Sequence, residues 1–482
     1  MAPSGTVTLR FLSGLLATAT LGASTVLPQS IASRVLFKDV AIIGGGASGS
    51  HAALRLKEDY GKSVVVIDAQ SRLGGHVSSY KDATTGQEYD YGVNAFDDYG
   101  PAKAFFTRLG VSTTPAAHGG SPSLYVDFST GAPVNYTAPA MPDVFGALGA
   151  FYGIVKPWER FLIPSYSQFP VPSAIPADLL LTFGQFVAKY SLQAAVPQIF
   201  AVTGAGLGDM LSVPTLYVLQ AFGITTLESF LGISTSFVPV SGRNIQIYEA
   251  ISTRLGGDVL YSSTVAQSLR TLFGVVLWVK GADGKYTLVI ADKLLVAIEP
   301  TAANLDPLNP TNAETAVFSK FKYSTLYAGI VSHPSLPTDV TLTNTPSTAA
   351  PANWLDLPKP NFNGAFVCIN PTTKLWQVSV VGDENLTSQG AQDLLARNVN
   401  AMISSGVLPA AAGATLQFKA WAVHGAMHAR VTASELQAGF IQKLVALQGK
   451  SSTWYTGAAW SATSTSVLWA YNDALLPSLV AA

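Results

Sequence analysis

Six residues near the start of the chain carry the clearest chemistry. Gly44-Gly45-Gly46-Ala47-Ser48-Gly49 places glycines at 44, 46 and 49. The first permits a tight turn, the second lets backbone approach a pyrophosphate, and the third lets a helix pack closely on a strand. A helix opening at Ala47 and Ser48 would offer free N–H groups and the positive end of its dipole to phosphates. Asp68, followed by Ala69, stands about 20 residues further on, where a carboxylate meets a ribose hydroxyl. Alone the hexad is a weak signal; with an acid at this distance it points to a dinucleotide. Arg72-Leu73-Gly74-Gly75-His76 then supplies a second pair of glycines through which backbone can reach the same ligand.

The elements that must position these residues are legible around them. Val40–Ile43 is a short apolar run that reads as a buried strand. A helix is expected from about Ser48 to Tyr60, ended by Gly61-Lys62, and a second buried strand over Val64–Ile67. Short β-branched strands around a helix imply a parallel sheet. Residues from about Pro133 to Pro176 are rich in Pro, Gly and aromatics and read as irregular. Asp178 to Phe222 reads mainly as helices. Beyond Val238 an α/β pattern returns, with a helix over Ile245–Leu255 and strands near Val259–Tyr261, Val275–Val279 and Leu294–Ile298. Later strands are expected at Leu326–Val331, Ala365–Ile369 and Leu375–Val380, with helices near Gln389–Ser405 and Ala433–Leu447.

The run Arg72-Leu73-Gly74-Gly75-His76 resembles a motif of the flavin-containing amine oxidase superfamily, Arg-x-Gly-Gly-Arg. The resemblance covers most of the chain and implies FAD as cofactor. Tyr91-Gly92-Val93-Asn94-Ala95-Phe96 is similar to the segment passing beside the flavin ring. Ser241-Gly242, a helix and then Val259–Val265 resemble the stretch where a valine backbone meets the adenine, with Val265 at that position. Leu295–Pro300 resembles a strand ending in Ala-Ile-Pro-Pro, with Glu299 replacing the first proline. Tyr455-Thr456-Gly457-Ala458-Ala459, leading to a Ser/Thr-rich helix start that includes Ser466, resembles the last flavin motif, where a helix N-terminus faces the ring. Two departures stand out. His76 takes the place of the final arginine, whose charge is lost unless His76 is protonated. It would face a phosphate or the ring, form a covalent flavinyl link, or serve as a structural histidine. Ala458 and Ala459 stand where an acidic residue is usual. The Gly-Gly-His variant and the Trp454-Tyr-Thr-Gly457 ending resemble a fungal secreted branch, with a member that oxidatively closes a ring in an indole alkaloid.

At the reacting centre the superfamily often places a lysine, through a water, at flavin N5. The equivalent stretch here is Tyr323–Tyr327 and has no lysine there; Tyr327 is the candidate, against its reading as a core-facing strand aromatic. Trp421-Ala-Val-His424 resembles the segment whose tryptophan packs on the ring. His424 is a candidate polar group or proton acceptor beside the substrate. His424 and His428 would share a face on a helix, but no acidic partner or HExxH pattern accompanies them, and no metal is expected.

Composition bounds the rest. The chain has 482 residues, enough for two domains. Charged residues make up 12% and mean hydropathy is +0.31, which suits a large core and an apolar pocket. The net charge is −1 with no basic block, so no nucleic-acid partner is expected. Cys368 is the single cysteine, which excludes an intrachain disulfide. Arg10 precedes an apolar run from Phe11 to Leu27, read as a secretory signal peptide over residues 1–32, with an N-terminal membrane anchor as the competing reading. Sequons at Asn135 and Asn385 fit a secretory route and a glycoprotein. No integral membrane span is expected in the mature chain.

The expected fold is α/β, a Rossmann-like FAD-binding domain (38–125, 239–305 and 441–482) interwoven with an α+β substrate and cap domain (126–238 and 306–440). The expected activity is FAD-dependent hydride removal from a hydrophobic small molecule, with amines and alkaloid-like ring systems leading by resemblance and molecular oxygen reoxidising the flavin. The competing readings are an FAD-dependent double-bond isomerase acting on fatty acids, a non-catalytic flavin-binding protein and a nicotinamide dehydrogenase.

Overall fold

The computed structural model describes residues 32–482 except 117, 118, 120 and 204–206. The expected signal peptide therefore lies almost wholly outside the described residues. β1 (Arg34–Ile43) and β2 (Val64–Ile67) are buried along Val40–Ile43 and Val64–Ile67. Continuous apolar runs of this kind form parallel strands covered on both faces. They pair in parallel, Val40 with Val64 through Ile43 with Ile67. α1 (Ala47–Glu58) crosses between them and buries Ala52, Ala53, Leu54 and Leu56.

The first sheet is completed by β4 (Val259–Leu260), β5 (Thr264–Thr271), β6 (Gly274–Lys280) and β7 (Tyr286–Val296), in the order β5–β6–β7–β1–β2–β4. β6 runs antiparallel to β7 as far as Ala291. Beyond that point β13 (Thr453–Tyr455) takes over the same edge, parallel to Leu294–Val296. The ends of β1, β2, β7 and β13 thus lie in register, Ile43 beside both Ile67 and Val296, and Val296 beside Tyr455. Ligands of open α/β sheets bind in the crevice beyond such strand ends. α6 (Thr465–Ala481) returns over this sheet and packs on α1.

The second sheet runs β12 (Gln417–Arg430), β8 (Lys322–Ser332), β11 (Leu375–Gly382), β10 (Phe362–Asn370), β9 (Thr341–Asn344) and β3 (Ser123–Val126), antiparallel except for the β9–β3 pair. Side chains alternate between its faces. Tyr327, Val331, Val378 and Val380 pack on Leu395, Val399 and Met402 of α5 (Ser388–Ser404). Ala328 and Ile330 face the other way, onto Tyr91 of the first domain. Short helices lie between residues 177 and 230, among them α3 (Thr215–Ala221), in which every residue but Ala221 is buried. α4 (Gln246–Leu255) belongs to the first domain.

One segment differs from the sequence reading. The stretch from Pro133 to Pro176, expected to be irregular, contains the 15-residue helix α2 (Met141–Val155). Its glycines at 146, 149 and 153 lie on the exposed side, while Val144, Ala147, Leu148, Phe151 and Val155 make the buried stripe at helical spacing. His424 and His428 lie on the strand β12 and not on a helix; Gly425 and His428 have φ of 73° and 54°, which breaks the regular alternation there. Among the described residues, no helix is long and apolar enough to cross a membrane.

Candidate cofactor and active site

The glycine loop is closed by its own backbone. A Cβ on Gly49 would stand 1.8 Å from the Gly44 carbonyl oxygen, so only glycine fits where α1 leaves β1. Gly75 also approaches closely from the second glycine pair, since a Cβ there would stand 2.9 Å from Gly46 Cα, and its φ of 53° is left-handed. The Gly74 N–H donates to the Gly45 carbonyl at 2.9 Å. Asp68 organises this cradle. Its Oδ2 accepts from the Gly45 N–H at 2.5 Å and its Oδ1 from the Gln70 N–H at 2.6 Å. Burial pushes its carboxyl up, and the two backbone donors oppose that. Each oxygen retains a further lone pair for a ribose hydroxyl. Ala69, next along, is exposed.

α1 begins at Ala47 with Gly46 as its N-cap, no side chain capping it and no acid in its first turn. The Ser48 hydroxyl is buried without a partner. The side chains of α6 reach the same turn from behind. Trp469 Nε1 donates to the Ala47 carbonyl at 3.0 Å and Asn472 Nδ2 to the Ser48 carbonyl at 2.7 Å, while Thr456 donates to Asn472 Oδ1 at 2.6 Å. Uncapped N–H groups with tethered carbonyls suit an anion at this helix end. The cradle, the free helix end and the ribose-spaced acid together fit FAD.

The last motif adds a second helix start. Gly457, with φ of 119°, turns the chain into one helical turn over Ala458–Trp460. α6 then opens with no capping side chain and no acid in its first turn. The Ser466 hydroxyl is occupied, donating to the Asp97 carbonyl at 2.6 Å. Phe96, expected beside the ring, is instead a core residue clustered with Phe106, Phe237 and Trp469. The Val93 carbonyl accepts from Asn244 Nδ2 at 2.7 Å. Ala95 is half-buried, and Asn94 opens on a cleft of about 260 Å³ with Asp90 and Asn244. Val265 is buried at the start of β5, where a register shift follows it.

His76 and His424 come together from the two domains. Their rings stack with centroids 4.7 Å apart and an interplanar angle of 14°. Burial pushes His76 below the usual histidine range, although a hydrogen bond to the His424 backbone favours its protonation. Burial, with the charges of His76 and Arg72, pushes His424 down to about 3. Burial and Arg430 do the same for His428, also to about 3. Burial thus favours the neutral form of all three imidazoles. Burial therefore works against His76 replacing the charge of the arginine in the Arg-x-Gly-Gly-Arg motif. His424, with its Nε2 buried and unpartnered, is suited to orienting a group, not to taking a proton. Arg72 lends its charge to this corner while its Nη1 donates to the Leu73 carbonyl at 3.2 Å.

Tyr327 and Trp421 lie elsewhere than the sequence places them. Both project from the α5 face of the second sheet, their rings stacked at 5.9 Å and 7°. The Tyr327 hydroxyl donates to the Leu386 carbonyl at 2.6 Å, and Trp421 Nε1 donates to the Ser388 hydroxyl at 2.9 Å. His424 and Ala328 face the first domain, and Tyr327 and Trp421 face away from it. The geometry corrects both expectations: Tyr327 is a core-facing strand aromatic and Trp421 packs on α5. Tyr327→Phe should therefore leave the flavin absorption of the purified protein unchanged and cost about 1 kcal/mol of stability. Loss of bound flavin from that variant would restore Tyr327 to the site.

Sequence reasoning gave no role to Glu299, Tyr323 and Trp460, each carrying a buried side-chain polar atom with no partner. Glu299 left a trace as a departure from Ala-Ile-Pro-Pro, and Tyr323 opens the stretch set against the flavin lysine. Among the described residues, no cluster of three or more His, Cys, Asp or Glu is placed to hold a metal.

Comparisons with known proteins agree with this geometry. Residues 42–109 match the family described as NAD(P)-binding Rossmann-like domain. The chain is 32% identical over 450 residues to the FAD-dependent oxidoreductase pigF of Monascus ruber, covering 92% of each. It is 29% identical over 472 residues to beta-cyclopiazonate dehydrogenase of Aspergillus oryzae, covering 95% of this chain and 98% of that one. Among solved structures, a fatty acid isomerase from P. acnes superposes with a TM-score of 0.68 at 16% identity, over 92% of this chain and 98% of the other. Cyclohexylamine oxidase from Brevibacterium oxydans superposes with a TM-score of 0.59 at 17% identity, over 92% and 99%.

Proposed function

Because this chain belongs to the family of FAD-dependent oxidoreductases, we propose that it withdraws a hydride from a hydrophobic small molecule, an amine or alkaloid-like secondary metabolite, and that molecular oxygen accepts the electrons. The observation that carries this reading is the neutral histidine stack. His76 and His424 stack face to face, one from each sheet's side, and burial favours the neutral form of both. A site of that kind favours an uncharged apolar reactant over a phosphate or a polycation.

FAD, when bound, supplies an acceptor for the hydride. The residues of the chain do the rest. The glycine loop and the open end of α1 hold the anion, and Asp68 is spaced for the ribose. His424 Nε2 offers a hydrogen bond for orienting the reactant. The cap, with Phe183, Phe186 and Leu216 wholly buried in its packing, keeps water from the reacting atoms.

Anaerobic mixing of the purified yellow protein with a panel of aliphatic amines and indole alkaloids tests the proposal. At least one compound should bleach the flavin band, and re-aeration should release peroxide. No bleaching by any compound would sink the reading in favour of a non-catalytic flavoprotein. Turnover of an unsaturated fatty acid with no peroxide would indicate an isomerase.

We also propose passage through the secretory pathway. The asparagines of both sequons, Asn135 and Asn385, are exposed and open to modification. Unshifted electrophoretic mobility after glycosidase treatment of protein from a secreting host would count against it.

A further inference from the structure

The strand that carries His424 ends on an arginine whose charge no neighbouring carboxylate answers. Arg430 is the last residue of β12 and is partly buried. Its Nη1 donates to the His428 carbonyl at 3.2 Å and its Nη2 to the Tyr323 carbonyl at 3.5 Å. Among the described residues it makes no ion pair. Glu384, whose charge acts on it from further off, is paired with Lys322 at 3.8 Å. Burial pushes the guanidinium below its ordinary range, and Tyr217 and Glu384 oppose that. A guanidinium withdrawn from water is ordinarily paired, because an unanswered charge there is costly.

The backbone is bent to place it. Lys322 faces Arg430 and Ser324 faces Met427, so Tyr323 alone opposes both His428 and Ala429. His428 adopts a left-handed φ of 54°, which a residue with a Cβ takes at a cost. Bulges re-aim side chains, and both bulges and strained residues gather at binding sites. The same strand packs on the Ala458–Trp460 turn of the last flavin motif and on α3, and its His424 stacks on His76. From α3 comes Tyr217, buried, its hydroxyl without a hydrogen-bond partner. Burial raises that phenol, so it stays protonated, while the Val431 N–H and the Arg430 charge act on it in the opposite sense. Two groups able to donate therefore stand together where β12 meets α3, one a cation without a counter-charge and one a phenol without an acceptor.

We propose that Arg430 and Tyr217 form a carboxylate-binding subsite, which selects substrates that carry one acidic group on an otherwise apolar body. The inference rests on the oxidoreductase reading and names the substrate class for it. The planar fork of a guanidinium matches the two oxygens of a carboxylate, and one cation with one anion leaves the subsite neutral. Tyr217 donates a further bond to the same anion. The histidine stack then meets the uncharged part of the molecule. Anchoring one end in this way fixes which C–H bond is presented to the cofactor. A phosphate dianion would leave one negative charge unbalanced, and a molecule without an acid would leave the guanidinium unanswered.

The test is calorimetric titration of the holoenzyme with indole-3-butyrate and with its methyl ester, which share one body and differ in charge. Wild type should bind the acid about tenfold or more tightly than the ester. Arg430→Met should weaken the acid by roughly 10- to 100-fold and leave the ester nearly unchanged, and Arg430→Lys should restore part of the preference. Tyr217→Phe should weaken the acid a few-fold and spare the ester. Flavin content should stay at the wild-type level in all three variants. Equal affinities in wild type, no binding of the acid, or a preference that survives in Arg430→Met overturns the proposal. Arg430→Met purified without flavin would assign the guanidinium to the cofactor and overturn it as well. If Arg430→Met does not fold, an undiminished preference in Tyr217→Phe overturns it. Failure of every compound to bleach the flavin, with the preference for the acid intact, would bring down the oxidoreductase reading and leave the subsite standing.

Discussion

Gly49→Ala should yield protein that carries less than about a tenth of the wild-type flavin, a loss of over 1.4 kcal/mol of apparent binding energy at limiting FAD. The added methyl would stand 1.8 Å from the Gly44 carbonyl oxygen and 3.1 Å from Ala297 Cβ. Both obstacles belong to the paired ends of β1 and β7, so neither can turn aside as a flexible side chain would. α1 must tilt away from the sheet, and its first turn then leaves the place where Asp68 and Gly75 hold the loop. The check is the ratio of visible to ultraviolet absorbance after purification and again after incubation with excess FAD. Gly146→Ala is the matched control. Gly146 lies on the exposed side of α2 with open space around it, so alanine there should leave flavin content unchanged and raise helix stability by up to about 1 kcal/mol. Wild-type flavin content in Gly49→Ala would refute the account of the loop.

Arg270→Met should destabilise the fold by roughly 3–5 kcal/mol, a Tm fall on the order of ten degrees. Arg270 on β5 and Glu314 are 4% and 2% exposed and meet through two bonds of 2.8 and 2.7 Å. Arg270 Nε also donates to the Leu308 carbonyl at 2.8 Å, and the Tyr455 hydroxyl donates to Glu314. Removing the guanidinium leaves a buried carboxylate with a phenol and a capping threonine for company. Replacing both partners, Arg270→Met with Glu314→Gln, should recover much of the loss, since the cost lies in the uncompensated charge. The pH dependence follows from the carboxyl. Burial pushes Glu314 up, but the bonds from Arg270 and Tyr455 outweigh burial and hold it at about 2. A depressed carboxyl contributes stability above its unfolded value, and that contribution disappears as pH falls towards the folded one. Wild type should therefore lose Tm from about pH 5 down to pH 3 more steeply than the double variant. Equal slopes would show that the pair carries little of the acid sensitivity. Because Tyr455 leads directly into Gly457, Arg270→Met should also lower flavin retention.

The cofactor cradle was legible because its logic is local. The glycines, the helix start and Asp68 fall within one βαβ unit, where spacing along the chain converts directly into geometry. Gly74 and Gly75 were legible for the same reason. The reacting side depends on sheet register, which spacing does not reveal. β8 and β12 pair with register shifts between Leu326 and Tyr327, and again near Lys322 and Ile330. A slip of one residue exchanges the two faces of a strand. Tyr327, chosen by counting along the chain, and Trp421, chosen by resemblance, fall on the face of α5, while His424, chosen from the same stretch as Trp421, stacks on His76. Glu299 illustrates a different limit. Its type and position were visible as a departure from a proline-rich motif, but that its Oε2 is buried without a partner among the described residues shows only in three dimensions. α2 was hidden by composition: Pro142 and three glycines suggested a loop, although the apolar spacing was helical throughout.

The late arrival of β13 bears on the order in which the molecule is assembled. On a ribosome, the glycine loop and β2 emerge early, yet the edge of β7 beyond Ala291 has no neighbour until Thr453–Tyr455 is made. The carbonyls of Ala47 and Ser48 wait still longer, for Trp469 and Asn472. The nucleotide cradle is therefore written first and finished last. Loading of the cofactor becomes a report that translation has passed α6, and a nascent product broken off before α6 would be left without its yellow colour.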